Sequence, residues 1–205
     1  FLDCERFLMV RALKPLIDAG QIKLYAVDSL SRQGWINHQT SPANKIHLQE
    51  RYDRFLTDEL MPWIRYDCGG SRQPAAVTGA SIGAFLAFTA AARHPARFDL
   101  MVGMSGTYRM DRRLLGYWDE TWYFHDPNQF LPNLPDGQQL AQLRRSFFFL
   151  GLGRRHENPV YTESAARALA SRSIPHHIER WGGDSGHDWP TWRTMLPMAL
   201  RRLAR

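Results

Sequence analysis

Cysteine is nearly absent. Cys4 and Cys68 are the only two in 205 residues, too few for a disulfide framework and without the Cys-x-x-Cys or Cys/His spacing of a metal centre. That usage predicts a reducing compartment, and so a cytoplasmic location. Long apolar runs are missing too: none approaches the roughly 20 residues of a membrane span, and no signal-peptide pattern opens the chain. No membrane partner is expected. Lysine is sparse, so the net charge of +6 is carried almost wholly by arginine. The arginines are dispersed among Asp and Glu, with one dense run at Arg201, Arg202 and Arg205, where a helix end would also complement the dipole. Without a basic stripe interleaved with stacking aromatics, nucleic acid is not an expected partner. There is no internal repeat or low-complexity tract.

What is present is an alternation of short apolar runs with longer helical patterns. The 205 residues, 44% of them hydrophobic, suffice for one substantial core and one domain, 1–205. Phe7, Val10, Leu13, Leu16 and Ile17 predict a helix over Cys4–Ala19 that stops at Gly20. Ile22–Val27 reads as a buried strand and Asp28–Pro42 as a loop. Leu48, Tyr52, Phe55, Leu56 and Leu60 then repeat at helical spacing, with Pro62 as a kink or stop. Four strand–helix units follow. Their strands are Pro74–Gly79, Phe98–Met104, Ser146–Leu152 and His176–Trp181. Their helices run over Ile82–Arg93, a short stretch around Leu140 and Leu143, Pro159 to about Ser171, and Pro190–Leu203. Asn158 and Pro159 form a cap and first-turn pair. This order predicts an α/β fold, doubly wound, with a mostly parallel sheet covered on both faces.

Between the strand at Val77 and the alanine-rich helix lies Gly79-Ala80-Ser81-Ile82-Gly83, a Gly-x-Ser-x-Gly pattern in the strand-to-helix context it needs. Such a turn projects the serine hydroxyl from the carboxyl edge of the sheet, with Gly79 and Gly83 giving clearance. The Ile82 N–H points the same way and can donate to an oxyanion. A serine needs a base to take its proton, and His187, on the loop after the last strand, is the candidate. His38, His47, His94, His176 and His177 read as solvated histidines. Glu157 is the carboxylate of the loop after the preceding strand and is placed to orient His187. Asp184 is the alternative acid, and Asp188 reads as a helix cap. Trp35, Trp122, Tyr123 and Trp189 are candidates to line a substrate pocket, with 107–145 as a partial cap or pocket wall. Arg154 and Arg155 read as a solvated pair.

These residues carry a family resemblance. Gly79-Ala80-Ser81-Ile82-Gly83, then Arg93-His94-Pro95 with Phe98 and Ser105-Gly106, and finally His187-Asp188-Trp189-Pro190-Thr191-Trp192-Arg193 are together similar to the putative-esterase branch of the α/β-hydrolases. That branch includes S-formylglutathione hydrolases, feruloyl esterases and mycolyltransferases. The resemblance implies a serine carboxylesterase acting through an acyl-enzyme, with Ser81 as nucleophile and His187 as base, a small-molecule or acyl-ester substrate, and no metal or organic cofactor; its members use either Asp or Glu as the acid, which permits Glu157 without requiring it. An acyltransferase with the same triad, or an inactive binding protein on the same fold, are the alternatives; a homo-oligomer is compatible with the sequence. The resemblance also implies about three further strands before the first helix, and a second oxyanion donor on the loop before it. Of that loop only Phe1 or Leu2 could remain, which makes Leu2 the candidate donor. Either the chain continues upstream, or the oxyanion hole has one donor.

Overall fold

The computed structural model of the protein describes residues 3–70 and 73–203. Four strands, β1 (Ala76–Ala80), β2 (Leu100–Met104), β3 (Phe147–Leu152) and β4 (His176–Arg180), form one sheet in the order β1-β2-β3-β4, every pair parallel. Helices α1 (Asp3–Arg6), α2 (Met9–Asp18), α3 (Pro42–Arg54) and α4 (Met61–Asp67) precede the sheet. Helix α5 (Ile82–Arg93) joins β1 to β2. The β2–β3 connection carries α6 (Asp111–Leu114), α7 (Glu120–His125), α8 (Pro127–Phe130) and α9 (Gln138–Leu143). Helix α10 (Pro159–Ala170) joins β3 to β4, and α11 (Trp189–Leu203) follows.

Strand alternation builds two cores. Met101, Phe148 and Leu150 face one way, onto α3, α5, α10 and the β2–β3 connection. Val102, Met104 and Phe149 face the other way, onto Met9, Leu13 and Leu16 of α2 and Trp192, Met195, Leu196 and Ala199 of α11. Both faces are therefore covered, as parallel sheets require. Ser41 caps α3 by accepting from the Asn44 N–H, and Asn158 caps α10 by accepting from the Val160 N–H.

Three segments differ from the sequence expectation. Ile22–Val27 forms neither helix nor strand and joins no ladder among the described residues; Ile22 and Leu24 pack into the α2/α11 core and Val27 into the other. An apolar run supplies burial, but a strand also needs a neighbour for its N–H and C=O groups. The first helix breaks at Phe7–Leu8, where Leu8 takes φ 63°, and Phe7 stacks on Trp189 at 4.9 Å. Pro62 does not stop its helix. The turn before it widens into a π-helix over Phe55–Leu60, in which Met61 N–H donates to Leu56 O, and this absorbs the donor that proline lacks.

A charged cluster ties α3, α5 and α7 together. His94 is not solvated: its Nε2 lies 2.8 Å from Oδ2 of Asp53, a carboxylate only 3% exposed. His125, fully buried, places Nε2 2.6 Å from Glu50 Oε2, and the Arg93 guanidinium lies against both ring nitrogens. Burial holds the His125 imidazole below its ordinary value, and Arg93 pushes the same way against the pull of Glu50 and Asp53. A histidine depressed in the fold takes its proton more readily in the unfolded chain, so stability is lost as pH falls through the ordinary value of about 6.5. The urea midpoint should therefore drop between about pH 8 and pH 5.5, and less steeply in His125→Gln. An equally steep drop in the variant would assign the pH dependence to other groups.

Candidate active site

The register pairs Ala80 with Met104, Met104 with Gly151, and Leu152 with Arg180, so the carboxyl ends of all four strands reach one edge. Ser81, Ser105, the 153–158 loop and the 181–188 loop leave the sheet there, the edge where open α/β sheets bind ligands.

Ser81 sits between β1 and α5 at φ 56°, ψ −121°. A non-glycine residue in such a region costs about 1–3 kcal/mol, so its surroundings must hold it. They do so through the backbone: the Ser81 N–H donates to Met104 O at 2.9 Å, and Ser81 O accepts from the N–H groups of Ala84 and Thr107, both at 3.1 Å. Gly79 supplies the clearance, since a Cβ there would lie 2.1 Å from Gly83 O. Gly83, expected to give clearance with its own missing side chain, has open space around its Cβ position and contributes its carbonyl instead. Ile82 opens α5, so its N–H has no acceptor within the helix and stands at the positive end of the helix dipole. Leu2, the candidate second donor, and Phe1 lie outside the described residues, as does Arg205.

The next two loops are fastened to each other. The N–H groups of Arg154 and Arg155 both donate to Ser185 O at 3.0 Å, and the His187 N–H donates to Arg155 O at 3.1 Å. The backbones nearly touch, because a Cβ on Gly153 would come within 2.9 Å of Gly186. This fastening places Glu157 Oε2 3.6 Å from His187 Nδ1, with the Glu157 side chain 4% and the His187 side chain 31% exposed. The gap exceeds a hydrogen bond; such contacts often tighten only when substrate binds. Oε1 of Glu157 accepts from Ser105 Oγ at 2.5 Å and from the Gly153 N–H at 3.1 Å. Ser105 Oγ in turn accepts from Trp192 Nε1 at 2.9 Å, and the Trp192 ring stands edge-on to His187, centroids 5.3 Å apart.

The alternative acid is placed elsewhere. The Asp184 side chain is fully exposed, its carboxylate 3.8 Å from Arg155. Asp188 caps α11, accepting from the Thr191 N–H at 2.9 Å, and these bonds from Thr191 hold its carboxyl below the ordinary range. Arg154 is exposed. Of the pocket candidates, Trp35 and Trp122 are core residues, each 3% exposed; they pack on each other and on Phe85, and Trp35 donates to Gln49. Tyr123 lines a cavity with Arg93, His94 and Phe124. That cavity lies at the far end of α5, about 18 Å from Ser81 for a 12-residue helix. Trp189 is half-buried beside Trp192 and Phe7. Ser105 and Trp192 were given no role by the sequence, where they stood only inside matching stretches. Among the described residues no group of three or more His, Cys, Asp or Glu side chains is placed to hold a metal ion, and no helix is long and apolar enough to cross a membrane.

The sheet and its edge define an α/β-hydrolase-type protein. The family described as "Putative esterase" matches residues 5–203, and the chain belongs to it; membership supports ester hydrolysis as the reaction. Among solved structures, a ferulic acid esterase is 20% identical, with 100% of this chain and 79% of that one covered at a TM-score of 0.69. MPT51 (FbpC1) of Mycobacterium tuberculosis is also 20% identical, with 75% of this chain and 67% of that one covered at a TM-score of 0.50. At these identities the likeness is one of fold. No curated protein sequence matches significantly.

Gly79→Ala should cost about 3 kcal/mol or more, because the new methyl must displace the Gly83 carbonyl in the first turn of α5. A urea midpoint equal to that of the unaltered protein would show that the turn is not the close contact described.

Proposed function

We propose that the protein is a serine carboxylesterase in which Ser81 attacks the ester carbonyl. The observation that carries this reading is Ser81 itself, held at φ 56° between β1 and α5, the backbone posture of a nucleophile elbow. His187, delivered from the loop after β4, takes the serine proton and returns it to the leaving alcohol. Glu157 fixes the His187 tautomer and stabilises the imidazolium. The Ile82 N–H, at the positive end of α5, donates to the oxyanion of the tetrahedral intermediate, where preorganised donors act most strongly. Water then attacks the acyl-enzyme by the same route in reverse. Trp189, two residues after the histidine and half-buried against Phe7 and Trp192, is the remaining candidate for contact with an acyl or alcohol group. Family membership and the burial of Glu157 support the assignment of roles.

Turnover of p-nitrophenyl acetate and butyrate should be abolished by Ser81→Ala, and labelling by a fluorophosphonate should disappear with it. Undiminished turnover in the purified variant would overturn the proposal. Glu157→Gln should lower kcat by about 10³- to 10⁴-fold, the scale of losing a triad carboxylate. Asp184→Asn should stay within about 2-fold of the unaltered enzyme, as a fully exposed charge predicts. The reverse ranking would move the acid to Asp184.

A further inference from the structure

Two side chains at this edge lie outside the triad, one hydrogen-bonded to its acid and the other against the ring of its base. A carboxylate has two oxygens and a broad terminal torsion, so burial alone does not decide which oxygen faces a partner. Glu157 has that decision made for it: Oε1 takes two donors, Ser105 Oγ and the Gly153 N–H, which leaves Oε2 toward His187. The direction of the chain is fixed by chemistry. An indole N–H can only donate and an ionised carboxylate can only accept. The single Ser105 proton therefore goes to Glu157, and Ser105 Oγ accepts from Trp192 Nε1.

The backbone adds an independent observation. Ser105 lies at φ 49°, a posture glycine would adopt without strain, and its N–H is pinned to Gly151 O at 2.8 Å. The hydroxyl is what serine supplies that glycine cannot. Ser105 and Trp192 are both buried, at 2% and 7% exposure, so water does not compete for these bonds. Trp192 also touches the base, its ring edge-on to His187. One relay thus links α11, the end of β2, the acid loop and the base.

We propose that Ser105 and Trp192 are positioning residues of the esterase site, a Trp192–Ser105–Glu157 relay that locks one oxygen of the acid and presents the other to His187. This rests on the reading of Glu157 as the triad acid.

The test is a double-mutant cycle on p-nitrophenyl butyrate. Ser105→Gly removes the hydroxyl while relieving the left-handed strain, which separates lost positioning from lost folding. It should lower kcat by about 10- to 100-fold, the scale of one hydrogen bond to a buried charge, with KM within about 3-fold. Trp192→Phe keeps a ring beside His187 and should lower kcat by about 3- to 10-fold, the scale of a neutral donor. In a Glu157→Gln background Ser105→Gly should add less than about 2-fold, because the serine acts through the glutamate. The inference is overturned if Ser105→Gly leaves kcat unchanged while Glu157→Gln lowers it, or if the serine change costs the same factor in both backgrounds. A different failure is separable: if Glu157→Gln leaves kcat intact while Ser81→Ala abolishes it, the acid assignment falls and the relay with it.

Discussion

In an all-parallel sheet every strand delivers its carboxyl end to the same edge, and the register here brings those ends level, Ala80 beside Met104, Met104 beside Gly151 and Leu152 beside Arg180. Each strand then hands over one element of the proposed site. Ser81 comes from β1, Ser105 from β2, Glu157 from the loop after β3 and His187 from the loop after β4. The ladder brings the strand ends together, and the backbone bonds of Arg154 and Arg155 to Ser185 and of His187 to Arg155 then hold the two loops that carry Glu157 and His187. The helices contribute by covering both faces, which lets the central strands β2 and β3 be apolar and the edge carry the polar chemistry.

The backbone stores strain at this edge. Of the seven non-glycine residues with positive φ among the described residues, Ser81, Ser105 and His156 lie here. Each is clamped by main-chain bonds to a neighbouring segment: Ser81 to Met104 and Thr107, Ser105 to Gly151, and the strand-end loop carrying His156 to Ser185 and His187. Strain of this kind persists only where the surroundings over-determine it, and the last of these bonds also fasten the 153–158 loop to the 181–188 loop. The close approach at Gly153 and Gly186 makes that fastening direct, backbone on backbone, rather than mediated by side chains that could change rotamer.

The central strands β2 and β3 and the helix after Ser81 were legible because buried parallel strands are short apolar runs and helices announce themselves by periodicity; the helix expected over Ile82–Arg93 has those bounds. Ile22–Val27 was misread because local apolarity cannot report whether a ladder partner exists. Trp35 and Trp122 were misread for a similar reason. An aromatic on a loop carries no mark of whether it faces a ligand or folds back on Phe85. His94 shows the converse, since its buried carboxylate partner, Asp53, comes from α3, 41 residues earlier in the chain. The candidate site was legible where chain order does the placing, as with Ser81 and His187 after their strands. Ser105 was not, because a lone serine after a strand becomes informative only once Glu157 and Trp192 converge on it.

The central claim is that Ser81 carries the acyl group. Acid-quenching the enzyme during turnover of p-nitrophenyl butyrate, followed by proteolysis and mass spectrometry, tests it directly. The account predicts a butyryl adduct on Ser81, in the peptide that spans β1 and the start of α5. An adduct confined to another side chain, or continued turnover with no adduct on Ser81, would contradict it.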